Sequence, residues 1–236
     1  MDFFNRSKII LSEEDLRKIN KSSVLIFGLG GVGCCACESL VRAGIGKIGI
    51  CDGDSYDESN LNRQIYATNQ SLNKIKVDVA YDRIKSIRDI EVSKYPFDYN
   101  EKTVQKINFS EYSYIIDAID TLASKILIIE RARNENIKII SAMGTGNKFD
   151  PTKFKIDYIE KTSYDPLARI LRKELRKRNI KNLPVVYSEE IPVKTKERTP
   201  GSISFVPPVC GFILTSYVIR DIIGKEVFNG YWEFKW

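Results

Sequence analysis

The sequence predicts a single α/β domain built on a doubly wound, mostly parallel sheet, and three observations carry that expectation. Short apolar runs alternate with helix-length amphipathic stretches as far as residue 147. A glycine-rich turn leads straight from the first apolar run into a helix. The length of 236 residues, with 43% hydrophobic and 29% charged residues, suits one large α/β domain and disfavours a disordered or fibrous chain.

The elements follow in order. Ser12-Glu13-Glu14-Asp15 opens a short helix running to about Asn20, with a serine cap and acids in the first turn. Ser23 to Gly28 is the continuous apolar run of a strand buried on both faces. Then come a helix over Gly31 to Ala43, a strand over Lys47 to Cys51 ending at Asp52, and a helix over Ser71 to Ile87 with Ile75, Val79 and Ile84 apolar. Glu91 to Pro96 and Tyr112 to Asp117 read as strands, Ala123 to Asn136 as a helix and Ile137 to Ala142 as a fifth strand. Beyond residue 147 the alternation fails. The expectation is a core over residues 1–146, a basic C-terminal insertion over 147–200, and a C-terminal strand and helix over 201–236 returning to the core. Inside the insertion, Asp165-Pro166 reads as a cap and first-turn proline, with Leu167, Ile170, Leu171 and Leu175 on one side of the helix. Pro200 to Pro208 reads as a loop and Val209 to Ile223 as a buried helix.

Charge is uneven along this chain. Residues 147–200 hold 14 Lys and Arg against 8 Asp and Glu, a net of +6 that equals the whole chain's excess. Arg169, Arg172, Lys173, Arg176 and Lys177 surround the helix, and Lys194, Lys196 and Arg198 extend the excess. Such a run is a solvated helix face or a surface for a polyanion such as RNA.

There is no histidine. That excludes Ser-His-Asp and Cys-His nucleophile systems, histidine-ligated zinc hydrolases and an imidazole base. Of five cysteines, Cys34, Cys35 and Cys37 crowd one predicted helix, and only Cys51 and Cys210 remain, so neither a disulfide framework nor a four-thiolate zinc site is available. Reduced thiols in a cytoplasmic protein are expected, with Cys210 a buried small hydrophobe. No apolar stretch approaches the ~20 residues needed to span a bilayer, and Met1-Asp2-Phe3-Phe4 lacks a signal-peptide layout.

Gly28-Leu29-Gly30-Gly31-Val32-Gly33 has the G-x-G-x-x-G spacing between a strand and a helix, where backbone amides at a helix N-terminus bind phosphate. Asp52 ends the second strand, where an acid accepts from ribose hydroxyls. These two features alone fit a nicotinamide or flavin enzyme equally well. The next segment separates them. Asp52-Gly53-Asp54 is followed by Ser59-Asn60-Leu61-Asn62-Arg63-Gln64, by Lys76 opening a helix, and by Asp117-Ala118-Ile119-Asp120. Arg63 can grip phosphate oxygens, Lys76 adds a point charge, and Asp120 can hold Mg²⁺ on a triphosphate; hydride transfer needs none of these. The bland alternatives are a loop salt bridge for Arg63, a helix cap for Asp120 and an exposed helix lysine for Lys76. Asn60 and Gln64 shape the loop or touch the nucleotide, and Asp117 ends its strand.

In this order the residues resemble the ubiquitin-activating-enzyme-like superfamily of ATP-dependent adenylating enzymes, whose pattern is G-x-G-G-x-G, D-x-D, S-N-L-x-R-Q, a helix-borne Lys and D-x-x-D. Lys161-Thr162-x-x-Asp165-Pro166-Leu167-Ala168, Asp150-Pro151-Thr152 and Gly201-Ser202-x-x-Phe205-Val206-Pro207 extend the resemblance to the branch that dehydrates threonylcarbamoyladenosine in tRNA. The resemblance implies a Rossmann-like fold in a single adenylating domain over residues 1–236. It implies ATP and Mg²⁺ as cofactors and tRNA as partner to the basic segment. The nucleotide set is Gly28, Gly30, Gly31, Gly33, Asp52, Asp54, Asn60, Arg63, Gln64, Lys76 and Asp120, with Arg63, Lys76 and Asp120 catalytic and Asp120 on the metal. It further implies a homodimer in which Arg6 of an N-terminal arm reaches the neighbouring site. A monovalent cation and a sulfur-relay partner stay open. The rival readings are an adenylyltransferase for the C-terminus of a small sulfur-carrier protein and a non-catalytic nucleotide-binding module.

Overall fold

The computed structural model describes residues 3–197 and 199–225. Arg198, and whatever part of the expected C-terminal strand falls beyond residue 225, lie outside the described residues.

Seven strands form one sheet: β1 (Ser23–Phe27), β2 (Lys47–Cys51), β3 (Glu91–Tyr95), β4 (Tyr114–Asp117), β5 (Lys138–Ala142), β6 (Phe154–Tyr158) and β7 (Pro184–Ser188). Their order is β3-β2-β1-β4-β5-β7-β6, parallel throughout except for β6, which pairs antiparallel with β7. The helices are α1 (Glu13–Lys21), α2 (Gly33–Ala43), α3 (Lys76–Ile87), α4 (Leu122–Asn134), α5 (Pro166–Lys177) and α6 (Val206–Ile222). The sheet reverses direction of growth between β1 and β4, and such a switch point opens a crevice at the strands' C-terminal ends.

Both faces are apolar because consecutive strand residues point to opposite sides. Val24 and Ile26 of β1, with Ile48, Ile50 and Ile116, meet α2, α3 and α6. Leu25 and Phe27, with Ile115, Ile139 and Val185, meet α4 and α5 and the aromatic residues Tyr99, Phe109 and Tyr112. Cys34, Cys35, Cys37 and Cys210 are buried on the first face; burial pushes the thiols of Cys37 and Cys210 up to about 12. Among the described residues no three His, Cys, Asp or Glu assemble as metal ligands. No helix among them is long and apolar enough to cross a membrane.

Local chemistry places the ends. Ser12 and Asp15 cap α1 reciprocally at 3.1 Å in each direction. Asp165 accepts from the Ala168 amide at 2.9 Å and Pro166 occupies the first turn of α5.

Two expectations need correction. Residues 147–200, expected as a basic insertion without regular alternation, supply β6, α5 and β7, and β7 enters the sheet directly beside β5. The strand β6 gives a weak sequence signal because it lies at an edge, where Lys155 and Asp157 alternate with Phe154, Ile156 and Tyr158. The start of α6 also comes earlier than the apolar run suggests, since Pro207 and Pro208 sit in its first turn, where a missing N–H costs nothing.

Candidate active site

The glycine turn is shaped by its own crowding. Gly28 has φ +87°, and a side chain there would meet the Ala118 carbonyl oxygen at 2.7 Å. Gly33 lies against the Gly28 carbonyl and has no room for a Cβ. Gly30, by contrast, has nothing within 4 Å of where a Cβ would stand, so that side of the turn opens onto the crevice. A Cβ at Gly31 would stand 2.9 Å from Pro207 of α6 and 3.3 Å from the Arg63 carbonyl oxygen.

Asp52 continues β2 and braces this turn. Its carboxylate accepts the Leu29 amide at 2.6 Å and the Asp54 amide at 2.9 Å. Burial raises its pKa, with Lys76 and those two amides acting against the rise. Lys76 is 5% exposed, with its Nζ 2.8 Å from Asp54 Oδ2, 3.9 Å from Asp52 Oδ1 and over the Tyr56 ring. A lysine in the first turn of a helix sits at the wrong end of the helix dipole. Its burial there, held by two carboxylates, is what a cationic site needs. Asp54 itself is 70% exposed, so its carboxylate can be hydrated if a stronger anion takes the ammonium.

The loop between β2 and α3 carries Arg63. Asp57 and Asn60 cap one another across a short turn, which fixes Asn60 as a buried loop-former. The Arg63 guanidinium donates to the Ser59 carbonyl at 2.6 Å and to Asn62 Oδ1 at 2.9 Å, and forms no ion pair among the described residues. Gln64 is buried, and its Oε1 has no partner among the described residues. Asn62 ties the loop to the Ser202 carbonyl at 3.0 Å.

Asp117 and Asp120 part company. Asp117 is fully buried, 2.7 Å from Lys125 Nζ and 2.5 Å from Ser141 Oγ, and the lysine also donates to the Ala142 carbonyl. Asp120 is exposed beyond the end of β4, and the cap of α4 is Thr121, so the cap reading of Asp120 is corrected. The exposed-lysine reading of Lys76 and the loop salt bridge of Arg63 fall likewise.

One predicted residue is elsewhere. Phe4 packs on Gly44 and Arg88, just before the N-terminal ends of β2 and β3 and so at the end of the sheet opposite the glycine turn, and exposed Arg6 follows it there. Arg6 does not reach the crevice of its own chain. Along α5, Arg172 is tied down by the carbonyls of Ile159 and Thr162, and Lys177 pairs with Glu174. Arg169, Lys173 and Arg176 are exposed, and so is Ile170, which the apolar stripe had placed inward. Two features had no signal in the sequence: the Leu29 amide as partner of Asp52, and a second buried pair, Lys148 with Asp165 at 2.7 Å.

The ThiF family model matches residues 4–235. The chain belongs to the ThiF family. This ThiF-family chain is 35% identical to the tRNA threonylcarbamoyladenosine dehydratase of Bacillus subtilis over 93% of its own length and 94% of that protein. Crystal structures of the E. coli tRNA N6-threonylcarbamoyladenosine dehydratase TcdA match it at 29% identity. The complex with AMP gives a TM-score of 0.88 over 94% of both chains, and the complex with ATP gives 0.86 over 94% and 93%. The adenylyltransferase and sulfurtransferase UBA4 of Vanderwaltozyma polyspora is 36% identical over 56% of this chain and 30% of that protein.

Proposed function

We propose that this chain dehydrates threonylcarbamoyladenosine in tRNA at the expense of ATP. The side-chain carboxylate attacks the α-phosphate, forming an acyl-adenylate and releasing pyrophosphate. A nucleophile of the same side chain then attacks the activated carbonyl, closes a ring and expels AMP. The observation that carries the reading is extent: likeness to the dehydratases runs the length of the chain, whereas likeness to UBA4 covers 56% of it.

The residues support each role. The turn from Gly28 to Gly33 and the start of α2 offer backbone amides to phosphate. Asp52, Asp54, Asn60 and Gln64 form the wall around them. Arg63, without an ion pair among the described residues, and Lys76, with an exposed carboxylate partner, neutralise charge on the phosphates during transfer. Asp120 is an exposed carboxylate, which suits Mg²⁺ because that ion keeps most of its ligands as water and phosphate oxygen. Asp120 would hold Mg²⁺, which would supply positive charge against the triphosphate. Ring closure is intramolecular with a good leaving group, so the absence of histidine is no obstacle. Arg169, Lys173 and Arg176, exposed along α5 and without an ion pair among the described residues, suit the RNA backbone, and Arg6 serves a neighbouring site in a homodimer. The chain works in the cytoplasm, where its substrate is.

Incubation with ATP, Mg²⁺ and threonylcarbamoyl-modified tRNA, followed by mass spectrometry of the nucleosides, is expected to show loss of one water. An unchanged nucleoside with intact ATP binding overturns the proposal. Pyrophosphate exchange stimulated by a small sulfur-carrier protein and not by tRNA establishes the rival adenylyltransferase.

A further inference from the structure

Among the described residues, six non-glycine residues have positive φ. Five are asparagines (Asn73, Asn136, Asn147, Asn179 and Asn182), the residue type that tolerates this conformation best. The sixth is Tyr164, at φ 55°. A bulky aromatic residue is an outlier in that region of backbone space, so something other than local preference accounts for it. Its ring is not part of the core: Tyr164 is 64% exposed, and among the described residues no hydrogen bond or ring contact engages its side chain.

Its address is informative. Tyr164 immediately precedes Asp165, which caps α5 and is paired with Lys148; the same lysine donates at 2.5 Å to the carbonyl of Gly144, two residues past the end of β5. Because β5 is parallel to β4 and β1, that point lies at the strand ends where Gly28 and Asp120 also stand. On its other side begins the exposed row Arg169, Lys173 and Arg176, spaced three and four residues apart along α5. The Lys148–Asp165 pair is 1% and 0% exposed, so the anchor beneath the ring is rigid.

We infer that Tyr164 is a stacking platform for an unpaired base of the substrate's RNA loop, placed between the crevice and a phosphate-binding row formed by Arg169, Lys173 and Arg176. Exposed aromatic rings beside basic rows are how proteins hold splayed bases of single-stranded RNA. The left-handed backbone turns the side chain outward to do so. The inference rests on the RNA-directed reading above.

The test uses two substitutions in the full-length protein and two modified anticodon stem-loops, one intact and one abasic at the nucleotide next to the modified adenosine. Y164N removes the ring and installs the residue found at the other five such positions among the described residues; Y164F keeps the ring. Y164N is expected to leave Tm unchanged or raise it while weakening stem-loop binding by about 5- to 150-fold, the range of one base stacked on an aromatic ring. Y164F binds as the wild type. The abasic loop weakens wild type and Y164F and leaves Y164N unaffected. KM for the stem-loop rises in Y164N while ATP affinity is unchanged. Equal affinity of wild type and Y164N, or equal sensitivity of both to the abasic loop, overturns the stack while leaving dehydration intact. A wild type that fails to dehydrate the nucleoside overturns the reading beneath it, and the stack with it.

Discussion

Two lysines, Lys76 and Lys125, are each buried against an aspartate, and the difference between them separates the crevice from the floor beneath it. Lys125 meets Asp117, Ser141 and the Ala142 carbonyl, every one of them out of water. Nothing there can be exchanged for a ligand. Lys76 is nearly as buried, but its nearer partner Asp54 is 70% exposed. A phosphate arriving at Lys76 displaces a carboxylate that water can receive. A buried cation is thus read as structural or functional from the exposure of its partner.

The largest expected effect breaks the floor. Lys125→Met leaves Asp117 buried and uncompensated and is expected to cost about 3–5 kcal/mol of stability, measured by urea unfolding. A loss below ~1 kcal/mol would remove the contrast with Lys76. Next comes the crevice: Arg63→Ala and Lys76→Met are each expected to slow dehydration by about 10²–10³-fold, as for lost donors to a developing charge. Arg63→Ala keeps its Tm, since only a carbonyl and Asn62 lose a contact, and Lys76→Met loses less than about half of what Lys125→Met loses. Loss of stability as large as in Lys125→Met would return Lys76 to the structural class.

A third substitution set extends the contrast to the surface. Replacing Arg169, Lys173 and Arg176 together by alanine is expected to reduce the salt slope of tRNA binding by about 2–3 while ATP affinity stays fixed. An unchanged slope would return α5 to the class of solvated helices. The smallest effect concerns Glu38, which joins α2 to α3 through Arg83 and Arg42. Burial raises its pKa, and the two guanidiniums outweigh burial and hold it below the usual value of 4.5. A carboxyl lowered in the folded state contributes stability above its unfolded pKa and loses it as pH falls through the folded one. The wild type is therefore expected to lose Tm more steeply than Glu38→Gln as pH falls below 4.5, with no difference in slope above about pH 6.

Of the first five strands, β1, β2, β4 and β5 were legible as largely apolar runs bounded by turn residues, with β2 on its expected bounds at Lys47 and Cys51, whereas β3 carries Glu91, Ser93 and Lys94 at the sheet edge and shows that signal least. The edge pair β6 and β7 was not legible, because Lys155 and Asp157 dilute one strand and Pro184 opens the other. The site residues were legible as a spacing of residue types. Their states were not: Lys76 looks like a surface lysine in sequence, and only the fold of residues 54–75 over it makes it buried. Asp52 looks like a ribose acceptor, and its grip on the Leu29 amide depends on how closely β1 and β2 end side by side.

Pro207 rests on Gly31, and Ser202 holds Asn62, so the wall of the phosphate turn is supplied by the far end of the chain. A polypeptide is made from its N-terminus, and domains organise as they emerge. The turn, its strands and Asp52 are all synthesised in the first quarter, yet they stand without that support until α6 has left the ribosome. The nucleotide site is thereby completed last, and a chain truncated before Val206 keeps every residue of the glycine motif without the surface that packs it.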